Sequence, residues 1–277
     1  MRRWTVVLLG AILAFGMTAC GKDKEANGEA KSANPSQEVE EKATPTFDEL
    51  VPKVVKASKG MKSFTMETTI NFMVTQGGQI QNQRADIAVK RNVTRVPLQM
   101  YQEIKSKIPS SGNQEIKQYF TDEDIYSSVN GKWMKLHDEQ KALVFAKFRE
   151  SETPEKQLER LKSVAKDTKV TVAGDEYIIT AEMSGDGVKE LAKSLMSQSG
   201  GGQQAAMLDQ MDIKNIKVEY AVNKKSLYLT KANVEMTMNM EAEGQSISLE
   251  MKMNSNFSKY NEIEKIEVPQ EVLDSAA

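Results

Sequence analysis

Apolar residues recur at every second position over long stretches of this chain, and at helical spacing over shorter ones. The first clear element is a helix over residues 47–59. Leu50, Val51, Val54 and Val55 share one helical face, Gly60 ends the run, and Thr46 with Glu49 three residues on forms a capping box. The period then changes to two. Phe64, Met66, Thr68, Ile70, Phe72 and Val74 alternate with Ser63, Thr65, Glu67, Thr69, Asn71 and Met73, which predicts a strand. Gln76-Gly77-Gly78 turns it, Ala85, Ile87 and Val89 mark the return, and Leu98, Met100, Gln102 and Ile104 mark a third strand, with Pro97 near an edge or bulge. Further strands are read at Ile116–Phe120, Ile125–Val129 and Lys132–Leu136. The last two are joined by Asn130-Gly131, a strong hairpin signal because both residues accept positive φ.

The middle of the chain returns to helical spacing. Asp138–Glu150 carries Val144, Phe145 and Phe148, and Thr153-Pro154 opens a helix with Leu158, Leu161 and Ala165 on one stripe. Two strands, Thr168–Val172 and Glu176–Met183, meet at Gly174-Asp175. Val188, Leu191, Ala192, Leu195 and Met196 then predict an amphipathic helix ended by Gly200-Gly201-Gly202, and a short helix follows over Gln203–Met211. The last third is a meander. Ile216, Val218, Tyr220 and Val222 alternate; Leu227 and Leu229 start a strand that continues through Val234, Met236, Met238 and Met240; Gly244-Gln245 turns it into Ile247, Leu249, Met251 and Met253. The pattern predicts an α+β fold. A strongly curved antiparallel sheet of about ten or eleven strands forms an unclosed barrel wrapped around a few helices.

The start of the chain reads differently. Arg2 and Arg3 precede an apolar run from Trp4 to Phe15, followed by Gly16-Met17-Thr18-Ala19-Cys20. A basic start, a short apolar run and small residues before a cut predict a signal peptide over 1–19. The run is shorter than the ~20 residues of a membrane-spanning helix. The Thr18-Ala19-Cys20 segment resembles the bacterial lipobox, with Met17 in place of the usual leucine. That resemblance implies a diacylglyceryl Cys20, cleavage before it, and localisation at the cell membrane on the extracytoplasmic face. Two acyl chains anchor stably where one is marginal. Residues 20–45 hold the lipidated cysteine and a stretch of Lys, Glu, Ala, Asn, Ser and Pro with almost nothing apolar, read as a flexible tether with a mean span of ~25–30 Å. Residues 46–268 are read as a single domain and 269–277 as a C-terminal tail.

Composition narrows the chemistry. Cys20 is the sole cysteine, so the domain must hold together through its core without a disulfide. Of the 37 basic residues, Arg2 and Arg3 leave with the leader, so 35 face 39 acidic ones, a balance that gives no footprint for nucleic acid. One histidine, His137, gives little material for a metal or His-dependent site.

The helix-to-strand junction over Leu50–Thr69, the double strand Tyr119–Leu136 with Trp133, and Ile216–Lys231 together resemble the Lol-type lipoprotein carriers and the mycobacterial glycolipid-carrying lipoproteins. The chain is similar to an uncharacterised group of Firmicute lipoproteins with this fold over about 46–268. The resemblance implies an unclosed β-barrel around helices with an apolar cavity between them. It brings no catalytic residues with it.

Methionine is the local oddity, with 16 in the chain. Met236, Met238 and Met240 share one face of a strand, and Met251 and Met253 share one face of its partner. Met66, Ile70 and Phe72 join them from the first strand. These eight residues are the candidate ligand-binding set, since flexible thioethers suit variable apolar shapes; ordinary core packing and a Cu(I) site are the alternatives. Asp122-Glu123-Asp124 lacks the glycine and distal glutamate of an EF-hand and reads as a turn. Trp133 is placed either at a cavity mouth or in hairpin packing. There is no Gly-x-Ser-x-Gly elbow and no phosphate-binding glycine loop, and no enzyme, cofactor or metal is expected. The reading is a membrane-anchored lipoprotein that binds a lipid or an acylated molecule, with helices acting as a lid hinged at the triglycine. The alternative is an envelope interaction or stress-related lipoprotein that contacts a protein partner and holds no ligand.

Overall fold

The computed structural model describes residues 44–76, 79–109, 112–137, 141, 153–162, 168–184, 188, 212–242 and 245–276. They belong to one compact unit, Ala43–Ala277. Cys20, the tether, most of the helices read at 138–150, 188–196 and 203–211, and the triglycine lie outside the described residues.

Helix α1 spans Phe47–Ser58 and begins with the expected capping box. The Glu49 N–H donates to Thr46 Oγ1 at 3.3 Å, and the Thr46 N–H donates to Glu49 Oε2 at 2.9 Å, so two orphan donors of the first turn are satisfied. Leu50, Val51 and Val54 point one way and are fully buried.

Eleven strands form one antiparallel sheet: β1 Ser63–Gln76, β2 Gln79–Arg95, β3 Leu98–Ile108, β4 Gly112–Phe120, β5 Ile125–Val129, β6 Lys132–Lys135, β7 Thr168–Ala173, β8 Glu176–Met183, β9 Asp212–Asn223, β10 Leu229–Ala242 and β11 Gln245–Ser258. Their order is β6-β5-β4-β3-β2-β1-β11-β10-β9-β8-β7. The first six strands walk outward from β1 to one edge. The last five start at the other edge and walk back, so that β11 pairs with β1 in the middle of the sheet. Edges β6 and β7 do not meet, and the barrel stays open, as the sequence pattern predicts.

Helix α1 touches β7 at one edge, and the Ser58 carbonyl at its end accepts a 2.7 Å bond from Arg95 Nη1 at the end of β2. Those two strands lie six places apart in the order, roughly 29 Å in a flat sheet. The 12-residue helix is only ~18 Å long, so the sheet curls around it. A second helix, α2 (Pro154–Arg160), packs against α1 and buries Leu158, with Leu161 just beyond its end.

The Asn130-Gly131 hairpin forms as read, with φ of 49° and 87°. Several elements are longer than the alternation indicates; β4, read from Ile116, already starts at Gly112. The return strand β2 extends from 79 to 95, well past the Ala85–Val89 stretch that marks it, where Arg91 interrupts the apolar parity. Residues 269–277, read as a tail, hold α3 (Gln270–Ser275), which buries Val272 and packs on β6. The segment before α3 crosses the polar face of the sheet. There the Ile263 N–H donates to Ser63 Oγ and the Ile266 N–H to Gln99 Oε1.

Candidate functional site

Strict two-residue alternation gives the sheet one apolar and one polar face. On the polar face, cross-strand pairs cover the surface: Glu67 with Lys90 at 3.0 Å, Glu235 with Lys252 at 3.5 Å, and Glu182 with Lys217 at 3.0 Å. Trp133 belongs to this face, stacked 5.7 Å from Tyr119, which in turn lies 4.7 Å from Tyr101. It is hairpin packing, away from the apolar face. An open groove of about 720 Å³ also lies here, lined by Lys169, Thr180, Glu182, Lys217, Glu219 and Glu235 among others. The sequence reading places an apolar cavity between sheet and helices; this groove is polar and sits on the opposite side.

The register puts the whole candidate set on the apolar face, spread along the strands from Met66 opposite Phe257 to Met240 opposite Ile247. Phe72 pairs with Met251, Ile70 with Met253, Met236 with Met251, and Met66 with Phe257. The face has two halves that differ in burial. Toward the Ser63 end of β1 it is closed: Phe64, Val93, Met100, Phe120, Ile125 and Phe257 are buried. Phe64 lies 6.4 Å from both Phe257 and Tyr260. Toward the Gln76 end it is only partly covered: Ile70, Phe72 and Val74 on β1, Ile87 on β2, Ile104 on β3, Ile116 on β4 and Leu249 and Met253 on β11 are all half-exposed. The candidate residues divide accordingly. Met66, Ile70, Phe72, Met240 and Met253 are half-buried. Met236, Met238 and Met251 are buried, at 2%, 1% and 7% exposure, and pack as core.

A polar row crosses this otherwise apolar face at the boundary between its halves. The register aligns Met66, Arg91, Gln102, Gln118 and Ser127 across β1 to β5. Arg91 donates from Nε and Nη2 to Gln102 Oε1, at 3.2 and 3.0 Å. Gln102 Nε2 donates to Gln118 Oε1, and Gln118 Nε2 donates to Ser127 Oγ at 3.2 Å. Both amides turn their oxygen toward the guanidinium, which stabilises the cation without neutralising it. Sequence reasoning missed Arg91. Its signal was present, because Ala85, Ile87, Val89, Arg91 and Val93 share one parity, which puts a cation on the apolar side.

The remaining sequence candidates are accounted for locally. Asp122-Glu123 is a bend, and Asp124 carries an ion pair to Lys135 at 2.7 Å and another to Lys141 at 3.3 Å. His137 is exposed, and its carbonyl accepts the Lys141 N–H. Among the described residues no group of three His, Cys, Asp or Glu side chains is placed to hold a metal ion. Among them, too, no helix is long and apolar enough to cross a membrane.

These features define an α+β protein built on one open, eleven-stranded sheet whose apolar face is closed at one end and only partly covered at the other. The chain belongs to the DUF6612 family, a family of unknown function, whose model matches residues 46–277. No curated protein matches it in sequence. Among solved structures, one of lipovitellin, reported for its lipid–protein interactions, is 6% identical with a TM-score of 0.31, over 75% of this chain and 26% of that one. The chain thus spans about a quarter of the lipovitellin chain. A DUF1329 family protein from Desulfovibrio piger is 10% identical with a TM-score of 0.23, over 78% of this chain and 91% of that one. Both likenesses are too distant to bear on what this chain does.

Proposed function

We propose that this chain is a membrane-anchored extracytoplasmic lipoprotein, tethered through a diacylglyceryl Cys20, that binds a lipid or acylated molecule on the open half of its apolar face. The observation that carries the reading is the division of that face. Monomeric proteins rarely leave a contiguous apolar surface bare, and such a surface marks a ligand or partner site. Here Ile70, Phe72, Val74, Ile87, Ile104, Ile116, Leu249 and Met253 form one half-exposed surface over several strands, while the other half of the same face is closed. The site binds and does no chemistry in this reading. The test is titration with a neutral apolar dye such as Nile red, comparing wild type with Ile70→Glu and Phe72→Glu. Both positions are half-exposed, so the variants should fold with little loss of melting temperature and bind the dye at least tenfold more weakly. Absence of dye binding by the wild type sinks the reading. A second reading, a lipoprotein that contacts an envelope protein, draws on the charged groove of the polar face. It gains if Lys217→Glu abolishes a partner contact while dye binding is unchanged.

A further inference from the structure

Arg91 is a cation on an apolar face, and its neighbours do not explain it. Val89 and Val93 flank it along β2, Met66 lies across β1, and Gln102 lies across β3. Its hydrogen bonds run to Gln102. Burial lowers the guanidinium's pKa, and among the described residues no carboxylate acts on it. An arginine on an apolar surface usually has an anionic partner, because an uncompensated buried charge is expensive. Of its five N–H groups, Gln102 takes two, one on Nε and one on Nη2. The pair left on the outer edge, one from Nη1 and one from Nη2, is the fork that matches a planar carboxylate. The amide row Gln102–Gln118–Ser127 fixes the guanidinium plane, so the fork is held in place before any ligand arrives.

The position of Arg91 adds the second element. It stands where the closed half of the face gives way to the open half. From Arg91 the half-exposed apolar positions Val89, Ile87 and Ala85 continue along β2 toward the hairpin, roughly 20 Å of strand. Ile70, Phe72 and Val74 run beside them on β1. A hydrocarbon chain lying along this path would have its polar end at the guanidinium.

We propose that Arg91 is the headgroup site for a single-chain amphiphile with a carboxylate, a free fatty acid, whose tail lies along the open half of the apolar face. One lone guanidinium balances one negative charge, and its fork is planar; both fit a carboxylate. This assignment rests on the apolar-ligand reading above and adds the charge and shape of the ligand to it.

The test uses the full chain carrying Cys20→Ser, so that no protein-borne lipid competes for the site. Two fluorescent probes are compared: dansyl-undecanoic acid and its methyl ester, which share a tail and differ only in charge. The acid should bind at least tenfold more tightly than the ester, the range expected for a charge-assisted hydrogen-bonded pair. Arg91→Gln should remove that difference while leaving ester binding within about twofold. Palmitate should displace the acid, and phosphatidylglycerol should do so far less well. Equal affinity of acid and ester for the wild type overturns the headgroup assignment and leaves the apolar-ligand reading standing. Binding of neither probe overturns both. Displacement by phosphatidylglycerol but not by palmitate overturns the single-chain carboxylate. If Arg91→Gln fails to fold, the wild-type comparison of acid and ester still decides.

Discussion

Arg95 joins three elements, and its removal should be costly. Its Nη1 donates to the Ser58 carbonyl at the end of α1 at 2.7 Å, and its Nη2 lies 3.3 Å from Glu155 Oε1 on α2. The side chains are 26% and 11% exposed, so the pair falls between a surface bridge and a fully buried one. Arg95→Met removes the cation, leaves the Glu155 carboxylate buried without its counter-ion, and takes the charged donor from the Ser58 carbonyl, which keeps only the Met61 N–H at 3.1 Å. Breaking a fully buried pair costs about 3–5 kcal/mol and a surface pair at most about 1. With the lost charge-assisted bond to Ser58 included, the single variant should be destabilised by about 3 kcal/mol. The double variant Arg95→Met with Glu155→Leu should recover much of this, to a net loss of about 1 kcal/mol, because apolar replacement of a whole buried pair is often near neutral. It also removes Glu155 Oε2, a buried atom with no hydrogen-bond partner among the described residues. Urea unfolding followed by circular dichroism measures both, and the coupling comes from the double-mutant cycle. The reasoning fails if Arg95→Met lies within about 0.5 kcal/mol of wild type, or if the double variant is no more stable than the single one.

Two further outcomes follow from the sequence and the structure. Burial raises the Asp124 carboxyl, but hydrogen bonds and charges from Lys135 and Lys141 outweigh it and hold the pKa below the ordinary carboxylate value. Its contribution is therefore fully present above the unfolded value of about 3.9 and lost as pH falls through the lower folded value. Asp124→Asn should cost about 1 kcal/mol at pH 7, with the partners' exposure discounted, and its melting temperature should converge on the wild type's as the pH falls through the folded value; a gap that persists unchanged on acidification contradicts the assignment. For Cys20, metabolic labelling of cells with a clickable fatty acid should mark the wild type and spare Cys20→Ser, and equal labelling of both would end the anchor proposal.

Most of the fold is legible in local pattern. Alternation through Met236, Met238 and Met240 gives β10 and its inward face, Thr46 with Glu49 gives the start of α1, and Asn130-Gly131 gives the β5–β6 turn. Each of these signals spans a few residues, and each is enforced by backbone geometry. The pairing of β1 with β11 is not legible, because no turn links them and the register of Thr68 opposite Ser255 is set by the assembled sheet. Burial is equally hidden. Met238 and Met240 are two residues apart with the same parity, yet one is core and the other half-exposed, since what covers them comes from elsewhere in the chain. Arg91 is hidden for a different reason: a count of apolar positions alone takes no notice of a cation at inward parity.

The central seam of the sheet also sets an order of events for the growing chain. Each half can build itself from hairpins between neighbours in sequence. The β1–β11 pairing closes a loop of nearly the whole domain, as the Thr68–Ser255 hydrogen bond across 187 residues shows. Such distant contacts form late and slowly. Until Ser258 has left the ribosome, β1 has no partner on that side and presents an open strand edge in the middle of the future sheet, the kind of edge that invites pairing with another chain. Any truncation that removes β11 should therefore yield two half-sheets prone to aggregate, whereas loss of an outermost strand such as β6 leaves the seam intact.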